Sequence, residues 1–159
     1  MNRLSLAAAA GVLAAMAAPL FALAQTNLGW QTYVDPEFGM SISYPAGILP
    51  RQTESADGVI FSGEDAILEV SGIEMPDVRT STDLRRAIST APGYENVTYS
   101  PRGDRWLVLS GYRGSDIFYE KFFVIDGTIV GFSFQYPEAE RRFYDPLVEA
   151  MEDSFRTPS

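Results

Sequence analysis

Residues 110–137 constrain the fold more than any other part of this sequence. Two runs rich in aromatic and β-branched residues meet there at Asp126-Gly127. This dipeptide readily accepts the positive backbone angles of a tight type I′ turn. The sequence therefore predicts an antiparallel hairpin in which Asp126 and Gly127 are the two loop residues.

A two-residue loop also fixes which residues of the two strands lie opposite each other. On one face the opposed residues are nearly all apolar: Phe123 with Val130, Lys121 with Phe132, Tyr119 with Phe134, and Ile117 with Tyr136. The other face is apolar near the turn and polar further away: Val124 with Ile129, Phe122 with Gly131, Glu120 with Ser133, and Phe118 with Gln135. We expect the first face to be buried, because a slip of one residue would turn its aromatic rings into water.

Residues 1–24 have the pattern of a secretory signal peptide. Arg3 supplies the positive charge, an uncharged Ala- and Leu-rich run follows, and Ala22-Leu23-Ala24 is a small-x-small cleavage site. The predicted cut lies between Ala24 and Gln25, which leaves residues 25–159 as a single domain. A retained membrane anchor is the alternative, but the run is mostly alanine and lacks a positive stop-transfer flank. The sequence therefore favours a periplasmic or secreted protein with no stable membrane insertion after cleavage.

The composition of the remaining chain limits its partners and its chemistry. Removing Arg3 leaves 11 basic residues against 21 acidic ones, a net charge of −10, which argues against nucleic acid as a partner. The absence of Cys excludes a disulfide framework, so the domain must be stabilised by its core. Without His or Cys there is no Ser-His-Asp or Cys-His constellation and no usual zinc site. No nucleotide-binding glycine motif occurs, and we predict no cofactor.

Short β runs and two helices are predicted around the hairpin. Alternating or β-rich segments bounded by turn residues indicate strands at residues 30–34, 39–44, 58–62, 66–74, 94–100 and 105–112. Residues 45–57 contain two prolines and are predicted to form a loop. Thr80 and Asp83 have capping-box spacing before a short amphipathic helix. Because strand 105–112 and the two strands of the hairpin follow one another through short turns, we expect a β-meander in a largely antiparallel sheet and an α+β fold.

A final helix is predicted near the C-terminus. Tyr144, Leu147, Val148, Met151 and Phe155 form one apolar stripe at helical spacing. Since proline is tolerated at a first helical position, Asp145 is the predicted N-cap and Pro146 the first helical residue. A separate short helical turn is expected at residues 138–143. The aromatic face of the hairpin is the best available partner for the stripe.

Four segments together resemble small exported proteins of the PsbP-like group. They are the W-x-x-Y start at Trp30 and Tyr33, FGMSISYP at 38–45, RWLVLSGYRGSDIFYEK at 105–121, and a last helix ending on Ser154-Phe155. The group shares its fold with photosystem II extrinsic subunits and the Ran-binding Mog proteins. The resemblance implies an α/β/α sandwich, with helices on both faces of an antiparallel sheet. It also implies a protein that binds partners or stabilises assemblies, but it transfers no functional residue.

Lys121 is the residue whose predicted position calls for an explanation. It lies between Tyr119 and Phe123 on the aromatic face, where an unpaired ammonium is costly. One interpretation is structural: Lys121 lies near a sheet edge and snorkels, or a bulge turns it to solvent. The other is a half-buried lysine paired with a carboxylate, which marks a ligand-binding site formed with Tyr119 and Trp106.

Glu64 and Asp65 are one example of turn carboxylates that could ligate calcium through oxygen. Because no EF-hand spacing occurs, the sequence favours solvated turn carboxylates, and no metal site is predicted.

Three functions are consistent with these observations. The leading hypothesis is a non-enzymatic binding or accessory module that contacts an unknown protein or small ligand of the cell envelope through a sheet edge or loop. The second is a glycosidase-like hydrolase that uses a pair of carboxylates. The third is a structural stabiliser of an envelope assembly, which the sequence cannot distinguish from the first.

Overall fold

The computed structural model describes residues 28–159, so the predicted signal peptide lies outside the described residues. Within the described residues, nine strands and two helices follow one another. The strands are β1 (Trp30–Val34), β2 (Ser41–Pro45), β3 (Arg51–Ser55), β4 (Gly58–Ser62), β5 (Ile67–Glu74), β6 (Val97–Tyr99), β7 (Trp106–Arg113), β8 (Asp116–Ile125) and β9 (Thr128–Pro137). Helix α1 (Ser81–Ile88) lies between β5 and β6, and helix α2 (Arg141–Ser154) follows a 3₁₀ turn at Glu138–Glu140.

The strands form one large antiparallel sheet and one small one. Seven strands pair in the order β3-β4-β5-β9-β8-β7-β6, while β1 and β2 pair with each other in a separate two-stranded sheet. The meander β7-β8-β9 is present as predicted, with β5 and β4 added beyond β9. The predicted strands are all found with small shifts at their ends, and the largest change is at β6, which covers only Val97–Tyr99.

The central hairpin has the predicted turn and register. Asp126 and Gly127 have φ angles of 49° and 89°, the positive values that a type I′ turn requires. Lys121 lies opposite Phe132 and Glu120 opposite Ser133, as the two-residue loop predicts. The hairpin forms the centre of the sheet, so both of its faces are available for packing.

Helix α2 covers the face of the hairpin that carries the aromatic residues, which we call the upper face. Leu147, Val148 and Met151 of the helix are buried in one core cluster with Phe132 and Phe134 of β9. The small β1-β2 sheet packs into the same cluster through Met40 and Ile42. The predicted pairing of the apolar stripe with the aromatic face is therefore confirmed.

Helix α1 covers part of the opposite, lower face. Thr80 caps it in the predicted capping box with Asp83, each side chain bonding to the other residue's backbone. Leu84 packs there with Leu107, Leu109 and Phe118 in a second core cluster. With one helix on each face of an antiparallel sheet, the architecture is an α+β fold of the α/β/α sandwich type.

The start of helix α2 differs from the prediction. The helix begins at Arg141 and contains Pro146 internally, and the Asp145 carboxylate accepts a hydrogen bond from the Tyr136 hydroxyl at 2.8 Å instead of capping. Because Pro146 has no backbone N–H, the helix lacks the hydrogen bond that this position would donate to the carbonyl of Arg142. Burial of Tyr144 against Phe134 and Tyr136 holds the preceding turn helical in spite of that loss.

The predicted loop at residues 45–57 also contains a strand. Residues Arg51–Ser55 pair with β4 as an edge strand, from Arg51 opposite Ser62 to Ser55 opposite Gly58. The segment lacks apolar alternation because four of its five residues are exposed. Strand β3 is held by backbone hydrogen bonds to β4. Such bonds do not depend on side chains, so the hydrophobic pattern does not predict them.

Candidate functional site

Lys121 is paired with a carboxylate from helix α2. Its Nζ donates to Glu152 Oε1 at 2.6 Å, and the side chains of Lys121 and Glu152 are only 19% and 29% exposed. Strand β8 has β9 on one side and β7 on the other, and Lys121 keeps the regular register. The edge and bulge explanations are therefore wrong, and the alternative prediction of a half-buried lysine paired with a carboxylate is confirmed as geometry.

Tyr119 completes the polar group around Glu152. Its hydroxyl donates to Glu152 Oε2 at 2.6 Å, so the two carboxylate oxygens are held by two different residues of β8. Burial raises the pKa of Tyr119, and the hydrogen bond to Glu152 raises it further. Burial alone would also raise the pKa of Glu152, but the hydrogen bonds from Lys121 and Tyr119 and the charge of Lys121 lower it.

Aromatic rings surround the ammonium of Lys121. Its Nζ lies 5.7 Å from the ring centre of Trp106 and 5.5 Å from that of Phe123, both within cation–π range. Trp106 packs against the backbone of Gly103 and remains 37% exposed. The three residues singled out from the sequence, Trp106, Tyr119 and Lys121, thus lie on one face around one ion pair.

A β-bulge adds Tyr99 to this face. Val97 lies opposite Gly111 and packs into the lower core, whereas Tyr99 lies opposite Ser110 after a shift in register. The shift places Tyr99 on the upper face, beside the strand that carries Trp106. Tyr99 is 58% exposed. We refer to Tyr99, Trp106, Tyr119 and Lys121 as the Trp106 surface.

A second polar group lies on the lower face and was missed by the sequence analysis. The carboxylate of Glu120 is almost fully buried and accepts three hydrogen bonds, from Arg113 and Tyr94 at 2.7 Å and from Ser133 at 3.0 Å. The guanidinium of Arg113 also lies 4.1 Å from the ring centre of Phe118 and donates to the carbonyl oxygen of Gly93 at 3.2 Å. This network joins the loop before β6 to the sheet, and the burial of the Glu120 carboxylate with all its partners inside the domain indicates a structural role.

One signal for that network was present in the sequence. The predicted register already placed Glu120 in the middle of a central strand opposite Ser133, where a carboxylate needs a partner. Its partner Arg113 comes from the preceding strand and Tyr94 from a loop, and neither position follows from the pattern. The position of Glu120 in a central strand therefore indicated a buried polar network, although it did not identify the partners of Glu120.

Glu64 and Asp65, the turn carboxylates considered for calcium, line a surface cavity. Glu64 and Asp65 border a cavity of about 470 Å³, which Glu140, Arg51 and Tyr144 also line. Asp65 Oδ1 accepts a hydrogen bond from the Tyr144 hydroxyl at 2.6 Å, which supports the structural interpretation of this carboxylate. Within residues 28–159, no three Asp or Glu residues are grouped so that they could hold a metal ion.

The fold defines the class of structure, an α/β/α sandwich of the PsbP-like type. The structure is similar to the solution structure of cyanobacterial PsbP (CyanoP) from Synechocystis sp. PCC 6803. The TM-score is 0.61 at 18% sequence identity, and the match covers 80% of this chain and 92% of that chain. At this identity the likeness shows the fold alone, and it confirms the fold that the sequence resemblance implied.

Two further comparisons found no match, one with protein-family models and one with curated proteins. Among the described residues, neither helix has the length and apolar character needed to cross a membrane.

Proposed function

We propose that the protein is an exported, non-enzymatic binding module whose partner, a protein of the cell envelope, contacts the Trp106 surface. The observation that supports this proposal is the exposure of Tyr99 and Trp106 beside a shielded ion pair on the part of the upper face formed by β6, β7 and β8. Export is supported by the signal-peptide pattern of residues 1–24.

The chemistry of this surface suits protein recognition. Tyr and Trp are enriched at protein interfaces because each buries a large rigid area while its polar atom finds a hydrogen-bond partner. Lys121 and Glu152 already neutralise each other, so a partner that covers them meets no unpaired charge. The regular strands β7 and β8 hold Trp106, Tyr119 and Lys121 in fixed positions, which limits the entropy lost on binding.

The hydrolase hypothesis has less support. The groove at Glu64, Asp65 and Glu140 is the place where a pair of catalytic carboxylates would lie, but Asp65 is engaged by Tyr144. A stabiliser of an envelope assembly would use the same surface as a binding module. It would differ only in the permanence of the complex.

Site-specific photo-crosslinking in the producing cell tests the proposal. A photoreactive phenylalanine analogue at position 99 is expected to give a discrete crosslinked species, because Tyr99 is the most exposed aromatic residue of the Trp106 surface. The same analogue at Phe143, which is 46% exposed on helix α2, is the matched control and is expected to give none. A Trp106→Ala change in the first variant should abolish the crosslink while the protein remains folded and exported.

Two results would contradict the proposal. Equal crosslinking from positions 99 and 143 indicates random collisions and removes the case for a specific surface. A crosslink at position 99 that persists with Trp106→Ala shows that the partner does not depend on this surface. Cell fractionation and N-terminal sequencing of the same samples check export, and the mature chain is expected to begin at Gln25.

A further inference from the structure

Among residues 28–159, the outer edge of β3 is an unpaired and regular edge of the large sheet. β3 stands at one end of the strand order and pairs with β4 over all five of its residues without a bulge. The opposite edge, β6, has three residues and an irregular register. Within residues 28–159, no backbone hydrogen bond reaches Arg51–Ser55 from the side away from β4. An edge of this kind can accept an additional strand.

The side chains of β3 divide between the two faces of the sheet. Gln52 and Glu54 lie opposite Phe61 and Val59 and therefore point to the upper face. Thr53 lies opposite Ile60 on the lower face. Helix α1 packs on that face against β7 and β8, and not against β3. A strand added to β3 would place alternate side chains beside Gln52 and Glu54 on the upper face and beside Thr53 on the lower face.

An acidic groove lies beside β3 on the upper face. Its volume is about 410 Å³, and it runs between the turn after β1 and the turn after β3. Asp35, Glu37 and Glu54 are among its lining residues, and none of the lining residues is basic. Asp35 is engaged by the Tyr33 hydroxyl and by the backbone N–H groups of Glu37 and Phe38. The side chains of Glu37 and Glu54 are both exposed.

All the charged residues that line the groove are acidic, so the groove favours positive charge. Tyr33 also lines it, and its pKa is raised to about 12, first by burial and then by the hydrogen bond to Asp35 and the charges of Asp35 and Glu54.

We propose that the outer edge of β3 binds an extended peptide segment of another protein, with basic side chains of that segment in the acidic groove. The unpaired edge supplies main-chain hydrogen bonds for affinity, and the groove beside alternate residues supplies specificity. Thr53 and Ile60 on the other face favour β-branched residues at the positions between the basic ones. A second copy of this chain fits poorly, since it would bring the same acidic groove and a net charge of −9.

Peptide titration with nuclear magnetic resonance tests this proposal on the processed, exported protein. The probe is a short, end-blocked peptide of alternating Lys and Thr, and the control peptide alternates Glu and Thr. We expect the basic peptide to bind and to slow amide hydrogen exchange in Arg51–Ser55. Two N-methylated versions of the probe carry their methyl groups on alternate amides. Since a strand presents alternate amides to one neighbour, only one version should lose binding.

Two double variants separate the groove from general charge. Glu37→Gln with Glu54→Gln is expected to weaken binding of the basic peptide about tenfold at low salt. Glu138→Gln with Glu149→Gln removes the same charge from exposed positions elsewhere and should leave binding unchanged. A Tyr99→Ser variant should bind the peptide normally, because the Trp106 surface lies at the other end of the sheet.

Several outcomes would overturn the proposal. They are equal weakening by both double variants, equal binding of both N-methylated peptides, protection at β6 in place of β3, or no binding of the basic peptide at low salt. Each of these results can occur whether or not a protein crosslinks to position 99, so the two proposals fail independently.

Discussion

Glu120 and Lys121 are neighbours in the central strand β8, and their side chains are held on opposite faces of the sheet by ions of opposite charge. Glu120 meets Arg113 at 2.7 Å on the lower face, and Lys121 meets Glu152 at 2.6 Å on the upper face. One strand thus carries two shielded ion pairs back to back. The two carboxylates differ in exposure, because the Glu120 side chain is 4% exposed whereas that of Glu152 is 29% exposed.

Removing the charge of Glu120 should destabilise the domain strongly. The Glu120→Gln variant leaves the guanidinium of Arg113 half-buried without its counter-charge, and we expect a loss of about 3 kcal/mol in the free energy of unfolding. Urea denaturation followed by circular dichroism measures this loss. Glu149→Gln, at an exposed position on helix α2, is the matched control and should change stability by less than about 0.5 kcal/mol. Equal unfolding midpoints for the two variants would contradict the structural role of Glu120.

Removing the charge of Lys121 should have a smaller, pH-dependent effect. Lys121→Met keeps most of the side-chain volume but leaves Glu152 with one hydrogen bond fewer, at a cost of about 2 kcal/mol near neutral pH. Because the pKa of Glu152 is lowered in the folded protein, its stabilisation is present above the ordinary carboxyl value of 4.5. It is lost as the pH falls through the folded-state pKa, so the two proteins should converge in acid.

The Lys121 prediction is checked by urea denaturation of both proteins across the acid range. The double variant Lys121→Met with Glu152→Gln should recover part of the lost stability, since no unpaired carboxylate remains. A constant difference between Lys121→Met and the parent at every pH would mean that packing, and not the ion pair, accounts for the effect.

The fold was predictable where the sequence carries local signals. The Asp126-Gly127 turn fixes the register of the hairpin, and the apolar stripe from Tyr144 to Phe155 identified the buried side of the last helix. Strand β3 was not predicted, because its residues are exposed and its stabilisation comes from backbone hydrogen bonds to β4. The start of α2 was misplaced because packing of Tyr144 outweighs the local preference of Pro146 for a first helical position.

The candidate site was predictable only in part, for a similar reason. Trp106, Tyr119 and Lys121 share a face through strand pairing, which alternation and turn length determine. Glu152 joins them only because helix α2 crosses the sheet at one particular position, and that position depends on how Met151 and its neighbours pack. The place of Tyr99 depends on a bulge, which has no reliable signal in a single sequence.

Alkaline pH should unfold the domain, because four of its tyrosines are held in the protonated form. Burial raises the pKa of Tyr94, Tyr119, Tyr136 and Tyr144, and each of them also donates a hydrogen bond to a carboxylate. The unfolded chain loses these protons near pH 10, so stability is intact below that value and is lost as the pH rises. Absorbance of tyrosinate and circular dichroism should therefore change together above pH 10. Ionisation of all eight tyrosines with the circular dichroism unchanged would contradict this prediction.

Neutralising Glu69 should stabilise the domain near neutral pH. Glu69 lies on the lower face of β5 opposite Ser133, and burial raises its pKa, with a further increase from the charges of Glu120 and Asp57. Ionised Glu69 thus opposes folding at neutral pH, and this cost disappears as the pH falls below the ordinary carboxyl value of 4.5. Glu69→Gln should gain about 0.5 kcal/mol at neutral pH after solvent screening, and nothing in acid. Urea denaturation at both pH values measures the gain, with Glu74→Gln at the exposed end of the same strand as the control. A Glu69→Gln variant less stable than the parent at neutral pH would show that this carboxylate is stabilised by its surroundings.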